Sequence, residues 1–312
     1  MDRKFDCTFV GDINPDLVMT SAGQLPELGK EVEYKNFYSV LGGSTGICAG
    51  VFGSLGMGAT FYGHVGDDLF GRFSVEALAA TGVDVSNIVT ERGGKTPVTI
   101  SVTTPKDRAL MSYLGRLDGL CEDDLTDQLI EGTRHIHIGS FFFQQELQPG
   151  FLRLFKRAHE KGVTTSLDAG WDTTENWDYG IRELLGFTDI FFPNDTEAQA
   201  ITRRNNPVEA ALELSRYCGT VVVKCGKEGS VLRSGEKLLR CPTYSRYKAI
   251  DSTGAGDSYN AGFLHAFLSG MPWLTCMKYG SAVASLRVSV DRSVRPWSTL
   301  AEVEDIVSNE NE

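Results

Sequence analysis

Six short apolar runs recur along the chain: Phe5 to Val10, Ala59 to Val65, His135 to Ile138, Val163 to Leu167, Asp189 to Phe192 and Thr220 to Lys224. They are rich in β-branched and aromatic residues and mostly too continuous to have one wet face, which predicts strands buried on both sides. Between them lie stretches whose apolar residues recur with helical period: Leu69 to Ala80, Gly150 to Lys161, Glu183 to Leu185 with its flanks, and Val208 to Tyr217. Strands alternating with helices predict βαβ units, and so an α/β fold with a mostly parallel central sheet covered on both faces. Two regions break this rhythm. Asp16 to Tyr38 and Lys95 to Leu114 alternate apolar with polar residues, as in Val98-Thr99-Ile100-Ser101-Val102 and Ala109-Leu110-Met111-Ser112-Tyr113, the mark of antiparallel strands with one face in water. They predict a small accessory sheet made of two insertions, about 13–40 and 93–115, lying over the C-terminal edge of the main sheet. Ligands of open α/β sheets bind at that edge, so such a sheet would be a lid.

Length and charge narrow this picture. At ~150 residues per domain, 312 residues are two domains or one large one with an appendage, and the pattern favours a single α/β domain carrying the lid. The balance of 30 Lys+Arg against 41 Asp+Glu, with no basic tract, argues against nucleic acid as the main partner. Seven cysteines without CxxC spacing form neither a disulfide framework nor a zinc site of the usual spacing and read as free thiols of a reducing compartment. Phe5 is followed at once by Asp6, which is no core for a secretory signal, so the expected location is cytoplasmic. The uncharged stretches 36–66 and 258–277 are interrupted by glycines, His265 and Pro272 and read as packing segments, with no membrane association expected. Glycine, at 34 residues, exceeds the usual ~7%, so this fold needs backbone without side chains in several places.

One of those places carries chemistry. Asp251-Ser252-Thr253-Gly254-Ala255-Gly256-Asp257 opens directly onto a strongly apolar helical run, Ala261 to Leu268. A glycine loop entering a helix leaves several amides aimed at one spot, and the helix dipole adds to their field: an anion site. An acid beside such a site needs a task, and accepting the proton of a hydroxyl that attacks a phosphoryl group is the evident one for Asp257. The alternative is a helix whose first-turn amides Asp257 merely caps. No GxxxxGK[ST] occurs, and Tyr259 replaces the third glycine of a dinucleotide fingerprint.

Here the chain resembles the ribokinase-like (PfkB) carbohydrate kinases, whose C-terminal signature is D-T-x-G-A-G-D. Four further segments resemble the family's motifs in order: Gly42-Gly43 its di-glycine, Gly63 to Gly71 its G-x-V-G-x-D-x-x-G segment, Asn194 to Glu197 its N-x-x-E element, and Lys224 to Gly229 its G-x-x-G nucleotide loop. The resemblance implies a three-layer α/β/α sandwich with a small β lid, and transfer of phosphate from ATP with Mg²⁺ to a hydroxyl, usually a hydroxymethyl group of a sugar. It implies Asp257 as base and Gly254, Ala255 and Gly256 as anion hole. It also implies Asn14, Asp16, Gly42 and Gly43 around the sugar, and Asn194, Lys224, Gly226 and Gly229 around the nucleotide. Glu197 would hold Mg²⁺ through water, and Asp251 and Thr253 match positions associated with a monovalent cation such as K⁺. Asn194 with Glu197 also fits a helix N-cap box, and Lys224 a solvated surface lysine. The register in which the family often has Asn holds Ile47, which points away from a direct ribokinase assignment. Substrates in view are a sugar or sugar acid or, alternatively, a nucleoside; a non-catalytic sugar or nucleotide sensor is the remaining alternative. The family's lid often serves as a dimer interface, which makes a homodimer an expectation. His135 and His137 read as packed histidines, Phe141-Phe142-Phe143 as core at a strand end, and the Trp171 to Asp178 loop, with Asp168 beside it, has no legible role.

Overall fold

The computed structural model describes residues 3–20, 25, 27–103, 108–115, 117 and 121–309. In chain order its strands are β1 (Phe5–Val10), β2 (Asn14–Thr20), β3 (Asn36–Gly42), β4 (Ala59–Gly66), β5 (Ile88–Glu91), β6 (Val98–Thr103), β7 (Arg108–Tyr113), β8 (Thr133–Ile138), β9 (Thr164–Leu167), β10 (Ile190–Phe191), β11 (Thr220–Lys224), β12 (Ser230–Ser234) and β13 (Lys237–Cys241). The helices are α1 (Ser44–Ser54), α2 (Leu69–Ala79), α3 (Gln148–Glu160), α4 (Ile181–Leu185), α5 (Asp195–Thr202), α6 (Pro207–Leu214), α7 (Ala255–Leu268), α8 (Trp273–Ser289) and α9 (Leu300–Ser308).

Nine strands form one sheet in the order β13-β12-β11-β10-β9-β8-β1-β4-β5, parallel except for the β11-β12-β13 edge. All six expected buried strands lie in it. Their continuity has a direct cause: successive residues point to opposite faces, and each face meets its own helical layer. Phe9, Ile190 and Val222 pack with residues of α1, α7, α8 and α9, whereas Val10, Phe191 and Val221 pack with residues of α3 to α6. The architecture is thus the expected three-layer sandwich. The chain leaves β1 for β4 on one side and later returns through β8 on the other. The β1/β8 boundary is therefore a topological switch point, where the carboxyl ends of neighbouring strands diverge into a crevice.

The two insertions form a second sheet of order β3-β2-β6-β7. Its outer pairs, β2/β3 and β6/β7, are antiparallel as the alternation predicts, but β2 and β6 pair in parallel. The reason is topological. β2 leaves the end of β1, β6 follows β5, and those two strands run the same way in the main sheet, so their continuations enter the second sheet in the same sense.

Candidate active site

A cavity of about 460 Å³ opens at the switch point, between the strand ends and the second sheet. Its floor includes Asp12, Asn14, Asp16, Gly43, Ser44, Gly254 and Asp257; Thr99, Leu110, Ser112 and Tyr113 face it from the second sheet. The sequence-predicted sugar residues and the signature loop, more than 200 positions apart in the chain, are therefore on one wall.

The glycine pair is explained by close approach. A Cβ on Gly42 would overlap the Asp16 carboxylate, and Gly43 takes φ 76° with a would-be Cβ 2.8 Å from the Asp12 carbonyl. Asp12 caps α1, accepting from the Ser44 amide at 2.9 Å and from the Thr45 amide and hydroxyl at 3.1 and 2.6 Å. This aims the Ser44 hydroxyl at Asp257, to which it donates a hydrogen bond. Asn14 donates to the Pro15 carbonyl at 3.0 Å and to Thr99 at 3.4 Å, tying β2 to β6. Burial pushes the Asp16 carboxyl up to about 6 despite the Arg292 guanidinium 3.9 Å away.

At the start of α7, Gly254 adopts the left-handed conformation as N-cap. A helix that starts so abruptly leaves its first amides without intrahelical acceptors, and the Ala255 amide reaches back to the Ser252 carbonyl at 3.3 Å. The helix behind them is almost wholly buried, and a Cβ at Gly262 would lie 2.7 Å from the Tyr279 carbonyl of α8. Asp257 is thus carried on a rigid element. Burial first, and then the Asp168 charge, push its carboxyl up to about 7, against the Ser44 hydrogen bond and Lys224.

Behind Asp257 lies a second polar cluster. Lys224 donates to Asp168 at 2.6 Å, Asn260 of α7 donates to the same oxygen at 2.7 Å, and a Cβ on Gly256 would come within 3.4 Å of the Lys224 ammonium. Burial would lower the Lys224 ammonium, but Asp168 and Glu197 hold it above its ordinary value. Lys224 is therefore buried and paired, which removes the solvated reading. Asn194 and Glu197 do form a capping box on α5: the Asn194 amide donates to Glu197 at 2.8 Å and the Glu197 amide returns the bond to the Asn194 side chain at 2.8 Å. Burial and then Asp168 push the Glu197 carboxyl up to about 8.

Gly226 and Gly229 flank a single 3-10 turn just after β11, both at positive φ. Gly229 is required by the fold itself, since a Cβ there would overlap the Cys241 carbonyl of β13. Asp251 has both oxygens engaged, one by the Thr253 amide and hydroxyl at 2.9 and 2.7 Å, the other by Arg292. Ile47 lines the cavity floor and would lie 3.1 Å from a Cβ on Gly254, so the register where the family often has Asn is apolar packing here. His135 and His137 are buried and share Ser166 at 2.7 Å each, as packed histidines. Phe141 and Phe142 are core, while Phe143 reaches the cavity. The tryptophan loop closes on itself: Asp172 accepts from the Thr174 and Trp177 amides, and Trp177 packs edge-on against Phe142.

Sequence reasoning missed Ser44, Asn260 and the buried arginines, and gave Asp12 and Asp168 no role of their own. Asp168 had a usable signal: it follows directly on the predicted strand Val163 to Leu167, and the carboxyl ends of parallel strands are where such folds place ligands. The others depend on contacts between distant segments.

A crevice with a helix N-terminus, a buried acid and a paired lysine beside it has the parts that phosphoryl transfer to a small molecule calls for. The chain belongs to the pfkB family of carbohydrate kinases, whose model matches residues 4–300. It is 29% identical over 269 residues to a nucleoside kinase of Methanothermobacter thermautotrophicus, covering 85% of this chain and 84% of that protein. It is 25% identical over 294 residues to a 5-dehydro-2-deoxygluconokinase of Geobacillus thermodenitrificans, covering 89% and 87%. Its fold matches that of Arabidopsis thaliana ribokinase complexed with ribose and ATP, with a TM-score of 0.82 at 23% identity over 98% and 99% of the two chains. The ribokinase-like sandwich and a carbohydrate kinase activity follow. No helix among the described residues is long and apolar enough to cross a membrane.

Proposed function

We propose that this protein transfers the γ-phosphoryl group of ATP to a hydroxymethyl group of a sugar or sugar acid, with Asp257 as the base. The observation that carries this reading is the position of Asp257. It stands at the N-terminus of α7, on the seam between the cavity that holds Asp16 and the cluster that holds Lys224. The acceptor's hydroxyls dock on Asn14 and Asp16, with Gly42 and Gly43 giving the backbone room. The second sheet closes as a lid and excludes water. The acceptor hydroxyl loses its proton to Asp257 as its oxygen bonds to phosphorus and the bond to the ADP oxygen breaks. The amides of Gly254, Ala255 and Gly256 stabilise the charge on the transferred group, and Asn194, Lys224, Gly226 and Gly229 face the nucleotide.

Magnesium fits this donor set in one manner. No cluster of three or more His, Cys, Asp or Glu that could cage a metal exists among the described residues, whereas Mg²⁺ characteristically takes one or two carboxylates plus water and phosphate oxygens. Glu197, through water, would hold it, and the ion would supply charge neutralisation between the phosphates. K⁺ belongs to the same reading only as a ligand of backbone carbonyls in the 251–253 turn, since the Asp251 carboxylate is already taken by Arg292. Faster turnover in K⁺ than in tetramethylammonium supports it, and equal rates refute it.

Only ionised Asp257 can accept a proton, so kcat/KM for the acceptor rises about tenfold per pH unit below a shoulder near 7 and is level above it. A profile flat between pH 5 and 8 counts against Asp257 as base. The acceptor class is tested with ADP detection on D-ribose, D-fructose, D-gluconate, adenosine and uridine. The nucleoside alternative draws on the apolar residues Leu110, Tyr113, Leu114 and Phe143 along the cavity wall, against which a base could lie. Preference for adenosine or uridine would establish it; ATP and acceptor binding without turnover would establish a sensor. The exposed Phe37, Met111 and Tyr113 of the second sheet support a homodimer through the lid, and the free thiols support a cytoplasmic location.

A further inference from the structure

Two arginines lie under the floor of the cavity, and the activity described above leaves them without a task. Arg292 is 2% exposed and Arg287 4%. Burying a guanidinium is costly, and apolar side chains of similar volume generally serve stability as well. A buried cation is therefore worth explaining by what it joins. Arg292 joins the two halves of the site. One side of its guanidinium donates to Asp251, whose other oxygen holds the Thr253 amide and hydroxyl immediately before the Gly254 turn. Its Nη1 lies 3.9 Å from Asp16 on β2, and Tyr38 of β3 also faces it. Arg287 stands beside it, with Nη1 donating to the Pro296 carbonyl at 2.8 Å and its guanidinium over the Trp297 ring. Its Nε and Nη2 lie 3.3 Å from where a Cβ on Gly254 would be, and they have no hydrogen-bond partner among the described residues. The two guanidiniums repel each other, and Asp16, Asp251 and Asp257 around them offset that repulsion.

We propose that Arg292 is a positioning residue that couples the sugar to the phosphoryl site, its guanidinium hydrogen-bonded to Asp251 beside the anion-hole loop and within ion-pair distance of Asp16 in the second sheet. This rests on the roles assigned above to Asp16 and to the Gly254–Asp257 loop. Acceptor hydroxyls that engage Asp16 fix its carboxylate, this fixes the guanidinium between its two acids, and the loop is held in the form that receives phosphate. Binding of acceptor and nucleotide is then mutually favourable, by the same factor in either order. A lysine cannot reproduce the arrangement, because its ammonium is a compact point charge without the planar fork of a guanidinium.

The test is calorimetric titration of the full chain with the magnesium complex of adenylyl imidodiphosphate, with and without the panel compound of highest kcat/KM. In the unaltered protein the acceptor tightens the nucleotide analogue by at least about 5-fold. In Arg292→Lys that factor falls to about 1 although each ligand alone still binds, and Asp251→Asn, which leaves Arg292 in place, loses the coupling as well. The second variant carries the test if the first does not fold. Coupling retained in either folded variant overturns the proposal, and so does turnover without coupling in the unaltered protein, which leaves the kinase reading intact. Absence of turnover on every panel member overturns the acceptor reading and this proposal together.

Discussion

Asp257→Asn lowers kcat by about 10³-fold, within the 10²- to 10⁴-fold span of general base catalysis, or about 4 kcal/mol of barrier. Asn has nearly the same shape and can still accept the Ser44 hydrogen bond, so the helix N-terminus and the anion hole stay in place. What it cannot do is take a proton. It also removes a carboxylate from beside the phosphates, so the ATP analogue binds at least as well. Single-turnover kinetics together with calorimetry separate these effects, and a variant that retains kcat within tenfold removes Asp257 from its role.

Asp168→Asn destabilises the protein by about 3–5 kcal/mol, the usual cost of leaving one partner of a buried ion pair uncompensated. The pair is buried on both sides, with 13% and 5% of the Lys224 and Asp168 side chains exposed. Asn260 and the Gly170 amide also donate to Asp168, so the substitution disturbs more than the salt bridge. One effect opposes the loss. The Asp168 charge pushes the Glu197 carboxyl up, so without that charge Glu197 ionises more readily and takes up part of the Lys224 charge. That places the expected result at the lower end of the range. Urea unfolding with an unchanged slope measures it, and adding Lys224→Met should recover most of the lost stability, because no unpaired ammonium then remains. If the single variant unfolds at the same urea concentration as the parent, the pair is not a stabilising element of this site.

Most of the sandwich was legible because it is encoded locally. A run such as Thr220 to Lys224 is apolar at every step except its ends, and only a sheet covered on both faces rewards that pattern. The edge hairpin escaped because Ser230–Ser234 and Lys237–Cys241 mix charged and apolar residues, and Gly235-Glu236, a two-residue turn signal, was the clue available. In the second sheet, alternation identified the strands but not the parallel β2/β6 pairing, which depends on where the main sheet releases them. The site was legible in the same uneven way. Gly43 and Gly254 declare themselves because the conformation at φ 76° belongs to glycine, and Asn194 and Glu197 because a capping box is three residues long.

By itself, then, the sequence determined the α/β layers, the glycine loop that opens α7 and the acid in its first turn, since periodicity and turn chemistry act over a few residues. Only the tertiary structure decided that Lys224 is buried against Asp168, that Ser44 bonds to Asp257, and that Arg292 lies between Asp16 and Asp251. These pairs are separated by 56, 213, 276 and 41 positions. The field at each carboxylate is set by which distant charges the fold buries beside it, and burial is a property of the assembled sheet and helices, not of any segment read alone.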